Sequence, residues 1–167
     1  MESGTRGACG RWLRRLRDAR GTNLVEAAII TPLLLMLTFG IVDFASVLYV
    51  YLALENGVSQ ATRFAVTGNT MEDPGTPGAQ LDRVSSIKTA MRQATPTLTI
   101  PDGAFTFSHI PPGGGTWVGG TGGADAIERV TVNYTWTFFT PLVRPFFTGG
   151  RVLLIVESTM KNEGRFE

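Results

Sequence analysis

Residues 24–43 read LVEAAIITPLLLMLTFGIVD, and this stretch decides the architecture of the chain. From Ala27 to Val42 it contains no charged residue, and a helix over this run would be about 24 Å long at about 1.5 Å of rise per residue. The hydrocarbon core of a bilayer is about 30 Å thick, so we expect the helix to extend through Asp43 towards Leu54. The sequence therefore predicts a membrane-spanning helix near the amino terminus.

The residues before this run form a basic leader. Residues 1–21 contain six arginines and two acidic residues, a net charge of +4, whereas residues 22–167 carry nine basic and twelve acidic residues, a net charge of −3. Arginines beside a hydrophobic span are typical of its cytoplasmic flank. We therefore interpret the cluster as a topology signal rather than a nucleic-acid surface, with the amino terminus in the cytoplasm.

A cleaved secretory signal is the alternative interpretation of the same segment. The apolar run is long for a signal core and no small-residue cleavage site follows it, which favours a retained anchor. Cys9 is the only cysteine. If the chain is cut at Gly21, the mature protein has no cysteine and needs no disulfide.

Beyond the apolar run the helical pattern continues to residue 66. Apolar residues recur at three- and four-residue steps, so we expect one face of this part to pack on a folded domain. This face comprises Phe44, Val47, Leu48, Tyr51, Leu54, Val58, Ala61 and Ala65. The predicted divisions are a basic cytoplasmic leader at 1–21, a transmembrane and amphipathic helix at 22–66, and an extracytoplasmic domain at 67–167.

The last of these divisions predicts a small α+β domain. A second helix fits residues 79–95, which end before Pro96. Three strands are predicted, at residues 104–109, 130–138 and 151–160. The middle strand alternates apolar and polar residues, as a strand with one buried face does. The predicted fold class is α+β: a long amino-terminal helix packed on a small, mainly antiparallel sheet of about three strands, with one further helix.

Two connections in this domain are unusual in composition. Residues 111–123 are dominated by glycine. They lack the lysine and the spacing of a phosphate-binding loop, so a flexible surface connector is favoured. Residues 138–147 are strongly apolar for a loop.

The sequence shows no convincing catalytic or metal-binding constellation. His109 is the only histidine, and it shares strand parity with Phe105 and Phe107, which favours a structural place on a strand face. A catalytic triad needs a histidine that is held by a carboxylate, and a zinc site here would depend on carboxylates. We expect no catalytic residue, no metal and no cofactor, and a protein that is not an enzyme.

The junction between leader and helix, residues 20–26, reads RGTNLVE. The basic leader ends at Gly21, and a carboxylate, Glu26, follows five residues later. This arrangement resembles the processing site of the type IV pilin superfamily, in which a membrane-embedded prepilin peptidase cuts after the glycine. The resemblance implies a processing site at Gly21 and Thr22. It also implies that Glu26 pairs with the new amino terminus, its own or a neighbour's, when subunits pack helix on helix.

The helix itself narrows the resemblance. Pro32, Gly40 and Asp43 lie within the run, and Ala61-Thr-Arg63 closes the segment. With these residues the stretch from 21 to 63 is similar to the TadE-like family, small pilin-related proteins of tight-adherence pilus systems. One departure is an alanine directly after the glutamate, where many pilin-type junctions have an aromatic residue.

Glu26, Pro32 and Asp43 are the candidate assembly or helix contacts. An ionised carboxylate on a lipid-facing helix raises the free energy of membrane insertion. Such groups therefore usually have an interaction partner or a function. Asp43 either marks the outer water boundary or makes a second packing contact. Proline is tolerated in membrane helices, because local adjustments satisfy the backbone again, and we expect Pro32 to bend the anchor.

The resemblance implies a minor pilin or pseudopilin, or an inner-membrane assembly component, of a tight-adherence pilus. Its implied partners are pilus subunits, inner-membrane assembly proteins, the prepilin peptidase and membrane lipid, and no nucleic acid. The expected location is the cytoplasmic (inner) membrane, with a single span and the carboxyl-terminal domain outside the cytoplasm. The alternative is a signal-anchored extracytoplasmic binding module unrelated to pili, whose apolar 138–147 loop contacts a partner or the bilayer.

Overall fold

The computed structural model of the protein describes residues 19–141 and 143–164. Its helices and strands are α1 (Ala19–Val66), α2 (Arg83–Ala94), β1 (Phe105–Ile110), β2 (Val118–Gly119), β3 (Ile127–Thr137) and β4 (Arg151–Lys161). The predicted α+β class is therefore confirmed. The predicted leader lies outside the described residues except for its last three, 19–21, which already belong to α1.

The strands form one antiparallel sheet in the order β2-β1-β3-β4. The sheet has four strands rather than the predicted three, because a two-residue strand lies inside the glycine-rich connection. There Val118 and Gly119 pair with His109 and Ser108, and the amide of Gly120 donates to the carbonyl of Phe107 at 2.9 Å. A segment this short and this rich in glycine has no periodic pattern that sequence reasoning could detect.

The predicted alternation in β3 is confirmed. Val130 and Val132 are buried on the face that meets α1, whereas Asn133 and Thr135 are exposed on the other face. The neighbouring strand β4 follows the same rule, with Leu154 and Val156 inside. Burial of one face against a helix is what stabilises a small sheet of this kind.

The second half of α1 packs on this sheet and on α2. Its most buried apolar residues are Val50, Leu54, Val58, Ala61 and Ala65. The predicted face was wrong at Phe44, Leu48 and Tyr51, which are exposed, and it omitted Val50. At 3.6 residues per turn these three lie about 60–120° around the helix from Leu54, outside the arc that meets the sheet.

The helix α2 begins four residues later than predicted. Asp82 is its N-cap and accepts a hydrogen bond from the amide of Ser85 at 3.1 Å, as short polar side chains commonly do. The preceding residues instead pair with the chain after α1. Gln80 forms an antiparallel bridge with Glu72, and the amide of Leu81 donates to the carbonyl of Met71 at 2.8 Å. At the other end Thr95 caps the helix directly before Pro96, so the predicted stop is confirmed.

Candidate functional site

The first half of α1 is exposed throughout. Every residue from 21 to 39 is exposed to the surroundings, and the first fully buried one is Asp43. In the part of the chain that the structure describes, α1 is the one helix long and apolar enough to cross a membrane, judged by length and composition. An apolar helix exposed on all sides needs lipid or other helices around it.

The predicted processing site lies close to Ala19, the first described residue of this helix. Gly21 and Thr22 are both helical and exposed, and a Cβ added at Gly21 would meet no other described atom within 4 Å. Thr22 and Glu26 are four residues apart, so their side chains lie on the same face of the helix. An amino terminus created at Thr22 would therefore lie one turn from the carboxylate of Glu26, which is also exposed.

Pro32 lies inside α1 and lacks the N–H that would bond to the carbonyl of Ala28. The bend expected there stays a prediction. An exposed apolar stripe runs along this part of the helix and centres on Gly40. It comprises Leu33, Met36, Leu37, Gly40, Ile41, Phe44, Ala45 and Leu48. Small residues within such a stripe let a second helix approach closely.

Asp43 is in a different situation, because its side chain is only 1 % exposed. One carboxylate oxygen accepts the amide of Phe139 at 3.0 Å, and the other accepts the amide of Thr140 at 3.1 Å. Both oxygens thus bind the chain directly after β3. Hydrogen bonds to a charged group are the stronger ones, worth about 1.5–3 kcal/mol each. The structure therefore brings Asp43 into an intramolecular contact, and an additional intermolecular role stays a prediction.

A model of the TadE-like protein family matches residues 21–63 of the chain. We call these matched residues the TadE-like segment. The resemblance stated from the sequence is thereby confirmed, and it associates the chain with the pilin-like proteins of tight-adherence pili. The matched residues all lie in α1, so the match does not extend to the sheet. No curated protein and no solved structure matches the chain.

The TadE-like segment lies close to the end of α2 at Gly57. A Cβ at this position would lie 2.5 Å from Cγ2 of Thr95 and 3.3 Å from two atoms of Met91. Both of these neighbours are buried. Only glycine fits between the two helices here, so Gly57 determines how closely the segment packs on its own domain.

The carboxyl-terminal end of α1 is held by a buried polar cluster that the sequence did not indicate. Arg83 donates to the carbonyl of Ala65 at 2.8 Å and to Glu128 at 2.7 Å, and it also bonds to the carbonyl of Gly122. Asn162 donates to the same oxygen of Glu128 at 3.2 Å. Burial raises the pKa of the Glu128 carboxyl, although Arg83 and Asn162 act in the opposite direction. The charged partner explains why a fully buried glutamate is tolerated.

His109 lies in β1, where Nδ1 is 3.0 Å from the carbonyl oxygen of Gly120. It thus has the strand position that its parity predicted. Among the described residues no group of three or more His, Cys, Asp or Glu side chains is placed to hold a metal ion. The candidate site is α1 from Gly21 to Asp43, because this stretch holds the start of the family match, the exposed apolar residues and the contact at Asp43.

Proposed function

We propose that the protein is a minor pilin or pseudopilin, or an inner-membrane assembly component, of a tight-adherence pilus, and that it is not an enzyme. One observation carries the proposal. The TadE-like segment coincides with a single continuous helix, and only the second half of that helix packs on the domain. The first half is left exposed, which suits a part that is surrounded by lipid before assembly and by other helices afterwards.

The exposed stripe around Gly40 supports helix-mediated contacts with pilus subunits. Its residues are apolar, and they include two small ones, Gly40 and Ala45. In lipid, helices associate through close packing and hydrogen bonds rather than through the hydrophobic effect. A groove of this kind favours a neighbouring helix as the partner of the segment.

The junction supports processing by a prepilin peptidase between Gly21 and Thr22. A peptidase needs extended backbone at the bond that it cuts. Gly21 weakens the helix at this bond, since glycine is a poor helix former. Glu26 then lies one turn from the new amino terminus and is its natural counter-charge.

The charge distribution supports a single span in the cytoplasmic membrane with the domain outside. Six arginines precede Thr22, close enough to the span to influence its orientation. The domain follows on the other side of the apolar run. A signal-anchored binding module unrelated to pili would share this topology, so the two hypotheses differ in what Glu26 does.

Glu26→Gln distinguishes the two hypotheses. Glutamine keeps the shape of the side chain and removes its charge, so membrane insertion and cleavage should remain normal. Co-purification with pilus subunits should fall roughly tenfold or more, because deleting one partner of a buried ion pair typically costs about 3–5 kcal/mol. Glu55→Gln is a matched control, since Glu55 is an exposed carboxylate in the second half of the same helix, bonded to Tyr51.

The measurement is crosslinking and co-purification from cells at equal expression of all variants. We expect normal partner recovery with Glu55→Gln and poor recovery with Glu26→Gln. Unchanged recovery with Glu26→Gln would remove this residue from the mechanism and favour the simple anchor.

A further inference from the structure

One end of the domain lies beside Asp43, next to the exposed first half of α1. At one end Arg83 joins the carbonyl of Ala65 to Glu128, and at the other Asp43 joins Phe139. The stretch of helix and the stretch of strand that connect these two contacts have similar lengths. Residues 43 to 65 of the helix span about 33 Å at about 1.5 Å per residue, and residues 128 to 139 of the strand span about 36 Å at about 3.3 Å per residue.

The chain between β3 and β4 therefore points towards the membrane half of α1. Thr137 pairs with Arg151 at the ends of the two strands, and the intervening residues continue past these ends, beside Asp43. We call residues 138–151 the tip of the domain.

The tip is a folded element with a partly buried interior. The ring centroids of Phe138 and Phe147 are 4.3 Å apart, and Nε of Arg144 donates to the carbonyl of Phe138 at 2.9 Å. Gly149 and Gly150 both adopt positive φ, 66° and 67°, which glycine tolerates without strain. These contacts join the described residues of the tip to the end of β3.

The outer surface of the tip is apolar nevertheless. Phe139 is 64 % exposed, Phe146 is 70 % exposed and Phe147 is 42 % exposed. Exposing three phenylalanine rings within nine residues to water is unfavourable. Such apolar patches mark sites of protein or membrane contact.

The charge around the tip favours a membrane. Its ionisable side chains are Arg144 and Arg151, and both are exposed. The adjoining stretches 130–138, 152–156 and 44–54 contain no acidic or basic residue. Apolar rings beside arginines are the combination that suits the boundary between acyl chains and phosphate headgroups.

We propose that the tip lies in this boundary of the bilayer, with its exposed phenylalanines among the acyl chains and Arg144 and Arg151 at lipid phosphates. Asp43 holds the tip against α1 at the level where the span ends, so the domain contacts the membrane at two places. Aromatic residues are enriched at this depth in membrane proteins. The inference requires only that the first half of α1 spans the bilayer, and it does not depend on a role in pili.

Site-directed spin labelling of the full chain in nanodiscs tests this proposal. In a Cys9→Ala background, a single cysteine in Phe146→Cys carries a nitroxide, and Thr116→Cys is the control. Thr116 is exposed and lies in the glycine-rich connection at the opposite end of the sheet. The nanodiscs contain equal parts of phosphatidylcholine and phosphatidylglycerol, and the readout compares collisions with oxygen and with a water-soluble nickel complex.

We expect the label at position 146 to collide preferentially with oxygen, and the label at position 116 to collide preferentially with the nickel complex. Equal access of the nickel complex at both positions would overturn the proposal. If the label at 146 is water-accessible in nanodiscs but becomes protected when purified pilus subunit is added, the tip is a protein interface and the lipid assignment is wrong.

A second variant tests the arginine contact separately. Arg144→Gln in the same labelled background should make position 146 shallower in nanodiscs that contain phosphatidylglycerol, and the shift should shrink in phosphatidylcholine alone. Circular dichroism of each variant verifies that the fold is intact. An identical depth with and without the arginine in anionic lipid would refute the contact with anionic headgroups.

Discussion

The two halves of α1 are both rich in apolar residues, yet they meet different surroundings. Residues 21–39 are exposed on every side, whereas residues 43–66 present one face to the sheet and α2. Hydropathy alone does not distinguish lipid from a protein core as the environment of a helix. The difference appears in periodicity, because only the second half alternates buried apolar positions with exposed polar ones such as Glu55 and Arg63.

Two of the three carboxylates of α1, Glu26 and Asp43, show the same contrast. Glu26 is exposed in the first half, and Asp43 is enclosed where the second half begins. Asp43 binds two amides of its own chain, so its charge serves the fold. Glu26 is four residues from the predicted new amino terminus, so its charge suits assembly.

The largest expected effect comes from truncating a leucine in each half. Leu54 is 0 % exposed and Leu37 is 62 % exposed. Leu54→Ala should lower the free energy of unfolding of the domain by about 2–5 kcal/mol, because it leaves a cavity in the core. Leu37→Ala should leave that free energy unchanged. Denaturant unfolding in detergent, followed by near-ultraviolet circular dichroism, checks both, and equal losses would show that the halves are not distinct.

A smaller effect is expected from removing the carboxylate of Asp43, and no effect is expected from removing that of Glu26. Asp43→Ala leaves the amides of Phe139 and Thr140 without their acceptors, and we expect a loss of about 1–3 kcal/mol in the same unfolding measurement. Proteolysis within the tip should also become faster. Glu26→Ala should change neither quantity. If Asp43→Ala is as stable as the parent chain, Asp43 does not hold the tip against α1. The proposed contact of the tip with the membrane then loses this support.

The glycines of the two halves should respond with opposite sign. Gly57→Ala places a Cβ against Thr95 and Met91, and we expect it to destabilise the domain by roughly 1–2 kcal/mol after the gain in helix propensity is subtracted. A Cβ at Gly40 would meet nothing within 4 Å, so Gly40→Ala should leave the domain as stable or slightly more so. The same unfolding curves compare the two, and stabilisation by Gly57→Ala would contradict the close helix approach.

Local patterns were sufficient for much of this structure. The spacing of apolar residues at the helical period of 3.6 predicted α1. The alternation of apolar and polar residues around Val132 predicted β3, and Pro96 predicted the end of α2. The TadE-like segment was recognisable because its features lie within one continuous stretch of 43 residues, from 21 to 63.

Contacts between distant residues were beyond the reach of such patterns. Asp43 meets Phe139, and Glu128 meets Arg83 and Asn162, across long stretches of chain. A lone acidic residue in a helix or strand gives no indication of its partner. The short strand β2 was missed for the related reason that its pairing, rather than its composition, makes it a strand.

Intact-mass analysis of protein extracted from the membranes of cells with an active prepilin peptidase measures whether the first half of α1 is a pilin-type segment that is processed at Gly21. We expect a mature chain that begins at Thr22 and contains 146 of the 167 residues, the first 21 having been removed. Gly21→Val should accumulate as the uncut precursor. A mature species that still begins at Met1 in the unmodified protein would show that the segment is not processed as a pilin.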